Sequence, residues 1–199
     1  MMTPLILASK SQSRAALLSN AGLSFACQTA EIDERAAEQP LIKAGGSPQD
    51  IAELLAEVKA MDVSDRNPGV LIIGADQTLG FGDKRFNKPE NEAAARAQLL
   101  EMAGKNHQLH SAVACVKDGE TLWRHVSTAT LTMRPLGPEE VGRYMARVGE
   151  QVRASVGCYQ LEGLGVQLFE KIEGDYFTIL GLPLLPLLSY LRRDHGLEF

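Results

Sequence analysis

Between Gly69 and Asp76 the chain reads Val-Leu-Ile-Ile-Gly-Ala, an unbroken apolar run that ends on an acid. A continuous run of this kind reads as a strand buried on both faces, and such a strand needs a sheet with cover on each side. The flanking chain supplies the cover. Pro4 to Ala8 is a short apolar strand that runs into Ser9-Lys10-Ser11-Gln12-Ser13-Arg14 and a helix ending at Gly22. Pro48 to Met61 has a helical stripe at Ile51, Leu54, Leu55 and Val58. Early alternation of strands and helices, followed by paired strands, predicts an α/β (mixed α+β) domain with a central mixed sheet.

The rest of the chain fits that frame. Leu23 to Thr29 reads as a strand and Glu31 to Glu38 as an acidic loop. Phe81 to Phe86 carries a hairpin turn at Gly82-Asp83, and Glu90 to Met102 an Ala-rich helix. His107 to Val116 and Glu120 to Met133 pair through Asp118-Gly119. Pro138 to Val148 and Leu184 to Arg193 read as helices, Glu150 to Gly165 as a loop, and Val166 to Ile172 and Tyr176 to Leu180 as strands. No linker or repeat interrupts residues 1–199, and 199 residues suit one domain, of one lobe or two.

Composition excludes several classes. A net charge of −5 argues against general coating of nucleic acid, which needs a basic surface, although local lysines and arginines can still hold a small anion. The three cysteines, Cys27, Cys115 and Cys158, are far apart and show no metal-ligand spacing, which predicts buried thiols in a reducing compartment. No apolar run is long enough to span a bilayer, and Met1 to Ala8 lacks the features of a signal peptide. The expected setting is the cytoplasm, without membrane or nucleic-acid partners.

Four constellations could carry chemistry. Ser9, Ser11, Ser13, Lys10 and Arg14 stand where a strand enters a helix, and free N–H groups there suit phosphate oxygens; equally, one serine caps the helix and the others are solvated. Asp76, followed by Gln77 and Thr78, stands at the carboxyl end of the apolar strand, where open α/β sheets bind ligands. It could hold a divalent metal, take a proton from water, or simply close a turn. Lys59 and Lys88 are isolated cations that could equally be surface charges. Glu31-Ile32-Asp33-Glu34 could build a magnesium site or be a solvated loop.

Taken in order, Leu7-Ala8-Ser9-x-Ser11-x-x-Arg14, Ile32-Asp33-Glu34, Ala56-x-x-Lys59-Ala60, Ile73-Gly74-Ala75-Asp76, Asn87-Lys88-Pro89, His107-x-x-His110-Ser111, Glu162-Gly163-x-Gly165, Gly174-Asp175-Tyr176 and Gly181-Leu182-Pro183-Leu184 resemble the Maf family of nucleoside triphosphate pyrophosphatases. Each piece is weak alone; the ordered set is specific and covers nearly the whole chain. The resemblance implies an elongated, two-lobed α/β fold with a nucleotide cleft across the sheet. It implies hydrolysis of a nucleoside triphosphate to the monophosphate and pyrophosphate with a divalent cation, Mg2+ or Mn2+, and a possible homodimer. Carried over by position, Asp76, Lys59 and Lys88 are catalytic. Ser9, Ser11 and Arg14 bind phosphate, and Glu34 with Asp76 lies at the metal.

The resemblance also bears on the base. In the branch acting on dTTP and UTP, Thr usually follows the catalytic acid and a Gln stands at the place of Glu162. Gln77 and Glu162 instead resemble the branch acting on 7-methyl-GTP. A carboxylate can accept N1–H and N2–H2 of a guanine edge, whereas uracil offers one donor there. The chain departs from the family pattern at Gln12, where proline is usual, and at Ser13, which replaces a stacking Trp or a pairing Arg. Three expectations follow: a guanine-type, 7-methyl-GTP pyrophosphatase; a dTTP/UTP-type enzyme; or a degenerate member that binds nucleotide or a cell-division partner without turnover.

Overall fold

The computed structural model of the chain describes residues 4–198. Its elements are β1 (Leu5–Ala8), α1 (Gln12–Asn20), β2 (Ala26–Cys27), α2 (Glu34–Lys43), α3 (Pro48–Asp65), β3 (Leu71–Phe81), β4 (Lys84–Phe86), α4 (Glu92–Met102), β5 (Asn106–Lys117), β6 (Glu120–Met133), α5 (Pro138–Val148), β7 (Phe169–Glu173), α6 (Tyr176–Ile179) and α7 (Leu184–His195). Short 3-10 turns occupy Gly149–Arg153 and Leu164–Leu168. The sheet runs β2-β1-β3-β5-β6-β7, with β4 on β3. β1 is parallel to β2 and β3, whereas β3–β4 and β6–β7 are antiparallel, so the sheet is mixed as expected.

The chain divides into two compact units. The first takes the residues up to Gln77, Ser111–Ser127 and the residues from Gly181 onward; the second takes Thr78–His110 and Thr128–Leu180. β3, β5 and β6 each supply residues to both. The first unit's core lies where Ala60 and Val63 of α3 meet Ile6, Ala8, Ile72 and Val116 of the sheet. The second unit's core gathers around Leu99, Met102, Leu131, Met133 and Tyr144.

Helix starts follow their caps. Ser47 and Asp50 form a reciprocal capping box across Pro48, the first residue of the longest helix, α3. Asp33 caps α2 by accepting the Ala36 N–H.

The structure corrects several expectations. Glu31 to Glu38 is not a loop: from Glu34 onward it is α2, where the Asp33 cap and an acidic first turn favour the helix dipole. Asp76 does not end its strand, because β3 continues to Phe81; polar partners inside the fold accommodate Asp76 and Gln77 within the ladder. Tyr176–Ile179 is a helical turn capped by Asp175, not a strand. The strand expected over Leu23 to Thr29 shrinks to Ala26–Cys27, and the one expected from Val166 begins at Phe169. Cys27 is exposed rather than buried, since it lies on that short strand at the sheet's edge; Cys115 and Cys158 are buried and free.

Candidate active site

Residues 72, 74 and 76 of β3 alternate onto one face of the sheet, and α3 covers that face. Gly74 allows the approach: a Cβ there would stand 2.1 Å from the Ala56 carbonyl oxygen and 2.8 Å from the Ala60 Cβ. Small residues at Ala56 and Ala60 of the helix match it. The close contact delivers Lys59, one position before Ala60, onto Asp76.

Lys59 Nζ donates to Asp76 Oδ1 at 2.6 Å and pairs with Glu34 Oε1 at 3.0 Å. Asp76 is only 8% exposed, the Lys59 side chain 12%, and the Glu34 side chain 51%. One ammonium thus joins a buried carboxylate to a wet one.

Arg14 closes the other side. Its Nη1 donates to the Ala75 carbonyl at 2.7 Å and to Ser9 Oγ at 3.2 Å, and its Nε donates to the Gly181 carbonyl at 2.7 Å. Gly181 has φ +95, and a Cβ on it would stand 3.3 Å from Arg14 Nε. The Ser11 hydroxyl caps α1 by accepting the Arg14 N–H at 3.3 Å. Ser9 Oγ accepts from the Ser11 N–H at 3.2 Å as well as from Arg14. With both lone pairs engaged, the Ser9 hydroxyl hydrogen remains to donate.

Burial pushes the Asp76 carboxyl above the ordinary carboxylate range. The Lys59 ammonium and Arg14 guanidinium oppose that push without cancelling it, and the Glu34 carboxylate adds to it. Burial also lowers the Arg14 guanidinium, opposed by Asp76 and Glu34, but a guanidinium stays a cation at ordinary pH. An acid held partly back from ionisation takes up a proton more readily than an exposed carboxylate does. The cations and the α1 N-terminus suit anionic oxygens.

Among the described residues no group of three or more His, Cys, Asp or Glu side chains is arranged to hold a metal. Glu34 and Asp76 nonetheless bracket one cation, the ammonium of Lys59. Two hard carboxylate donors suit a magnesium-type ion that shares its other positions with water and phosphate.

The first unit therefore brings together Ser9, Ser11, Arg14, Glu34, Lys59 and Asp76. Ser13, on the first turn of α1, is half-buried. Gln77 points to the face opposite Asp76, where its Nε2 donates to Ser111 Oγ at 2.9 Å. The second unit holds Lys88, exposed between β4 and α4, and Glu162, exposed on the turn before the second 3-10 segment. Sequence reasoning missed the parts played by Gly74 and by the carbonyls of Ala75 and Gly181. Gly74 and Gly181 stand in recognisable segments, but nothing in their types announces a close approach or an acceptor.

A family model described as Maf-like protein matches residues 4–194. A Brucella abortus biovar 1 (strain 9-941) protein named 7-methyl-GTP pyrophosphatase is 59% identical over 198 residues, covering 100% of both chains. A Rhizobium etli protein of the same name is 58% identical over 192 residues, covering 96% of each chain. A Rhodopseudomonas palustris (strain HaA2) protein named nucleoside triphosphate pyrophosphatase is 53% identical over 198 residues, covering 98% of this chain and 96% of its own. With matches that run nearly end to end, the chain belongs to the Maf family.

Proposed function

We propose that the chain hydrolyses a nucleoside triphosphate to the monophosphate and pyrophosphate, with 7-methyl-GTP as its preferred substrate. The observation that carries this reading is the buried Asp76 carboxylate held against Lys59, with Arg14 of the first turn of α1 bound to the neighbouring Ala75 carbonyl. The names of relatives at 53–59% identity support the substrate class.

In this mechanism Asp76 accepts the proton of the attacking water, and its raised pKa makes it a better base than an exposed carboxylate. Lys59 and Arg14 lie near the charge that builds as the bond to the leaving pyrophosphate breaks. The Ser9 hydroxyl and the first N–H groups of α1 bind non-bridging oxygens, with Ser11 holding that turn in place. Lys88 supplies a further cation to the phosphates. Glu34 and Asp76 would hold a divalent cation, which when bound neutralises phosphate charge. Glu162 reads the base by accepting from a guanine edge, and Gln77 and Ser13 tune that choice. The reaction belongs to the cytoplasm, and a homodimer is part of the reading.

The test is a panel of nucleoside triphosphates, 7-methyl-GTP included, with magnesium or manganese, scored for pyrophosphate release. Release well above an Asp76→Asn control, greatest for 7-methyl-GTP, is expected. Release at the control level for every nucleotide ends the catalytic reading, and strong preference for UTP or dTTP ends the assignment of the base.

A further inference from the structure

Glu162 is presented by a short turn of the second unit, closed by the Gly163 N–H donating to the Gln160 carbonyl at 3.2 Å. Leu161 is buried in the core while Glu162 is exposed, so the turn has one side anchored and one side at the surface. The root of the turn is Tyr159, 5% exposed. Its backbone is gripped twice by one hydroxyl: Ser155 Oγ donates to the Tyr159 carbonyl at 2.6 Å and accepts the Tyr159 N–H at 3.1 Å. Gly165 folds back so closely that a Cβ on it would meet the Gln160 carbonyl at 2.5 Å and the Tyr159 Cβ at 3.0 Å.

The side chain of Tyr159 is held by a partner far along the chain. Its hydroxyl lies 2.6 Å from His107 Nε2, and its ring stands edge-on to Phe169, with centroids 4.7 Å apart. His107 is 2% exposed, and its Nδ1 is buried without a hydrogen-bond partner. A site that needed only apolar filling would be better served by Leu or Phe, because an unmatched buried polar atom is unfavourable. The imidazole at this point makes a directional bond that fixes the Tyr159 ring.

We infer that His107 and Tyr159 are positioning residues: their hydrogen bond sets where the turn presents Glu162, and so sets base discrimination, not the chemistry at phosphorus. The inference rests on the proposed reading of Glu162 as the base-sensing carboxylate. Neither side chain touches the reacting atoms.

The full-length enzyme with magnesium is assayed for kcat/KM on 7-methyl-GTP and on UTP, in the wild type and in Tyr159→Phe, His107→Gln, His107→Leu and Glu162→Gln. Tyr159→Phe removes one oxygen and keeps the ring in the core. It should lower the ratio of the two kcat/KM values about fivefold, the net worth of one hydrogen bond, by raising KM for 7-methyl-GTP while leaving turnover of UTP unchanged. His107→Leu should match it, and His107→Gln, which can still bond the phenol, should recover part of the ratio. Amide exchange in the peptide spanning residues 160–165 should quicken in Tyr159→Phe, an outcome independent of activity. If Glu162→Gln moves the ratio while Tyr159→Phe leaves both ratio and exchange unchanged, or lowers both substrates equally, the positioning inference is overturned and the reading of Glu162 stands. If Glu162→Gln also leaves the ratio unmoved, the reading of Glu162 fails and takes the inference with it.

Discussion

Replacing Lys59 with methionine keeps most of the side chain's length and deletes its charge. That charge stands 2.6 Å from Asp76 Oδ1 and 3.0 Å from Glu34 Oε1, on a side chain only 12% exposed. Opposite unit charges about 4 Å apart attract by roughly 4 kcal/mol at an effective dielectric of about 20. That energy corresponds to about three pH units in the ionisation of the acid. The Arg14 guanidinium remains and solvent reaches Glu34, so a rise of about one to two pH units is expected for Asp76. The acid limb of the kcat/KM profile reports ionisation of the free enzyme's base. It should therefore move up by that amount in Lys59→Met, and turnover at neutral pH should fall by about 10²-fold or more. Lys59→Arg keeps a cation and should leave the limb close to its original place. The assay is pyrophosphate release from the preferred triphosphate between about pH 5 and pH 10. An acid limb that stays put in Lys59→Met, or one that moves equally in Lys59→Arg, would refute the claim that this ammonium sets the ionisation of Asp76.

Asp76→Asn should abolish turnover and raise the melting temperature at alkaline pH. The native acid is pushed up in the folded state, so wild-type stability falls as pH rises through its folded pKa, and the variant's advantage should vanish below about pH 4; thermal melts across pH check this. Gly74→Ala should destabilise the fold by about 1–3 kcal/mol and lower kcat, because its Cβ would press on the backbone of α3 and shift Lys59 from Asp76; denaturant melts beside the rate assay check it. Burial lowers His107 from 6.5 to about 4, so the neutral ring's contribution is complete above pH 6.5 and is lost as pH falls toward 4. That loss amounts to about 3 kcal/mol, and acid melts of His107→Gln should be flatter by a comparable amount. Lys88→Ala should lower turnover by about 10²-fold on every triphosphate tested, and a loss confined to one base would assign it elsewhere.

Much of this site is legible because its elements are local. A short apolar run, an acid after it, a serine-rich helix start and a small-residue helix each leave a signature in a few adjacent residues. Ser11 turned out to be the cap that residue types allowed. What escaped depends on distance along the chain. Arg14 finds its acceptors 61 and 167 residues away, and backbone carbonyls carry no side-chain label. Asp76 and Gln77 read as the end of a strand because polar residues usually interrupt an apolar run; Lys59 and Ser111 let the ladder continue. The helix from Glu34 to Lys43 escaped because Pro40 and its acidic first turn obscure an apolar stripe, while Asp33, a good cap, sits in a run of carboxylates.

The carbonyl of Gly181 that seats Arg14 has a consequence for synthesis. A ribosome makes Arg14, Lys59 and Asp76 long before it reaches position 181. Until that residue emerges, the guanidinium lacks one of its two backbone acceptors, and α1 is not yet tied to the segment at Gly181. Seating of the Arg14 side chain is thereby tied to the arrival of a residue made 167 positions later.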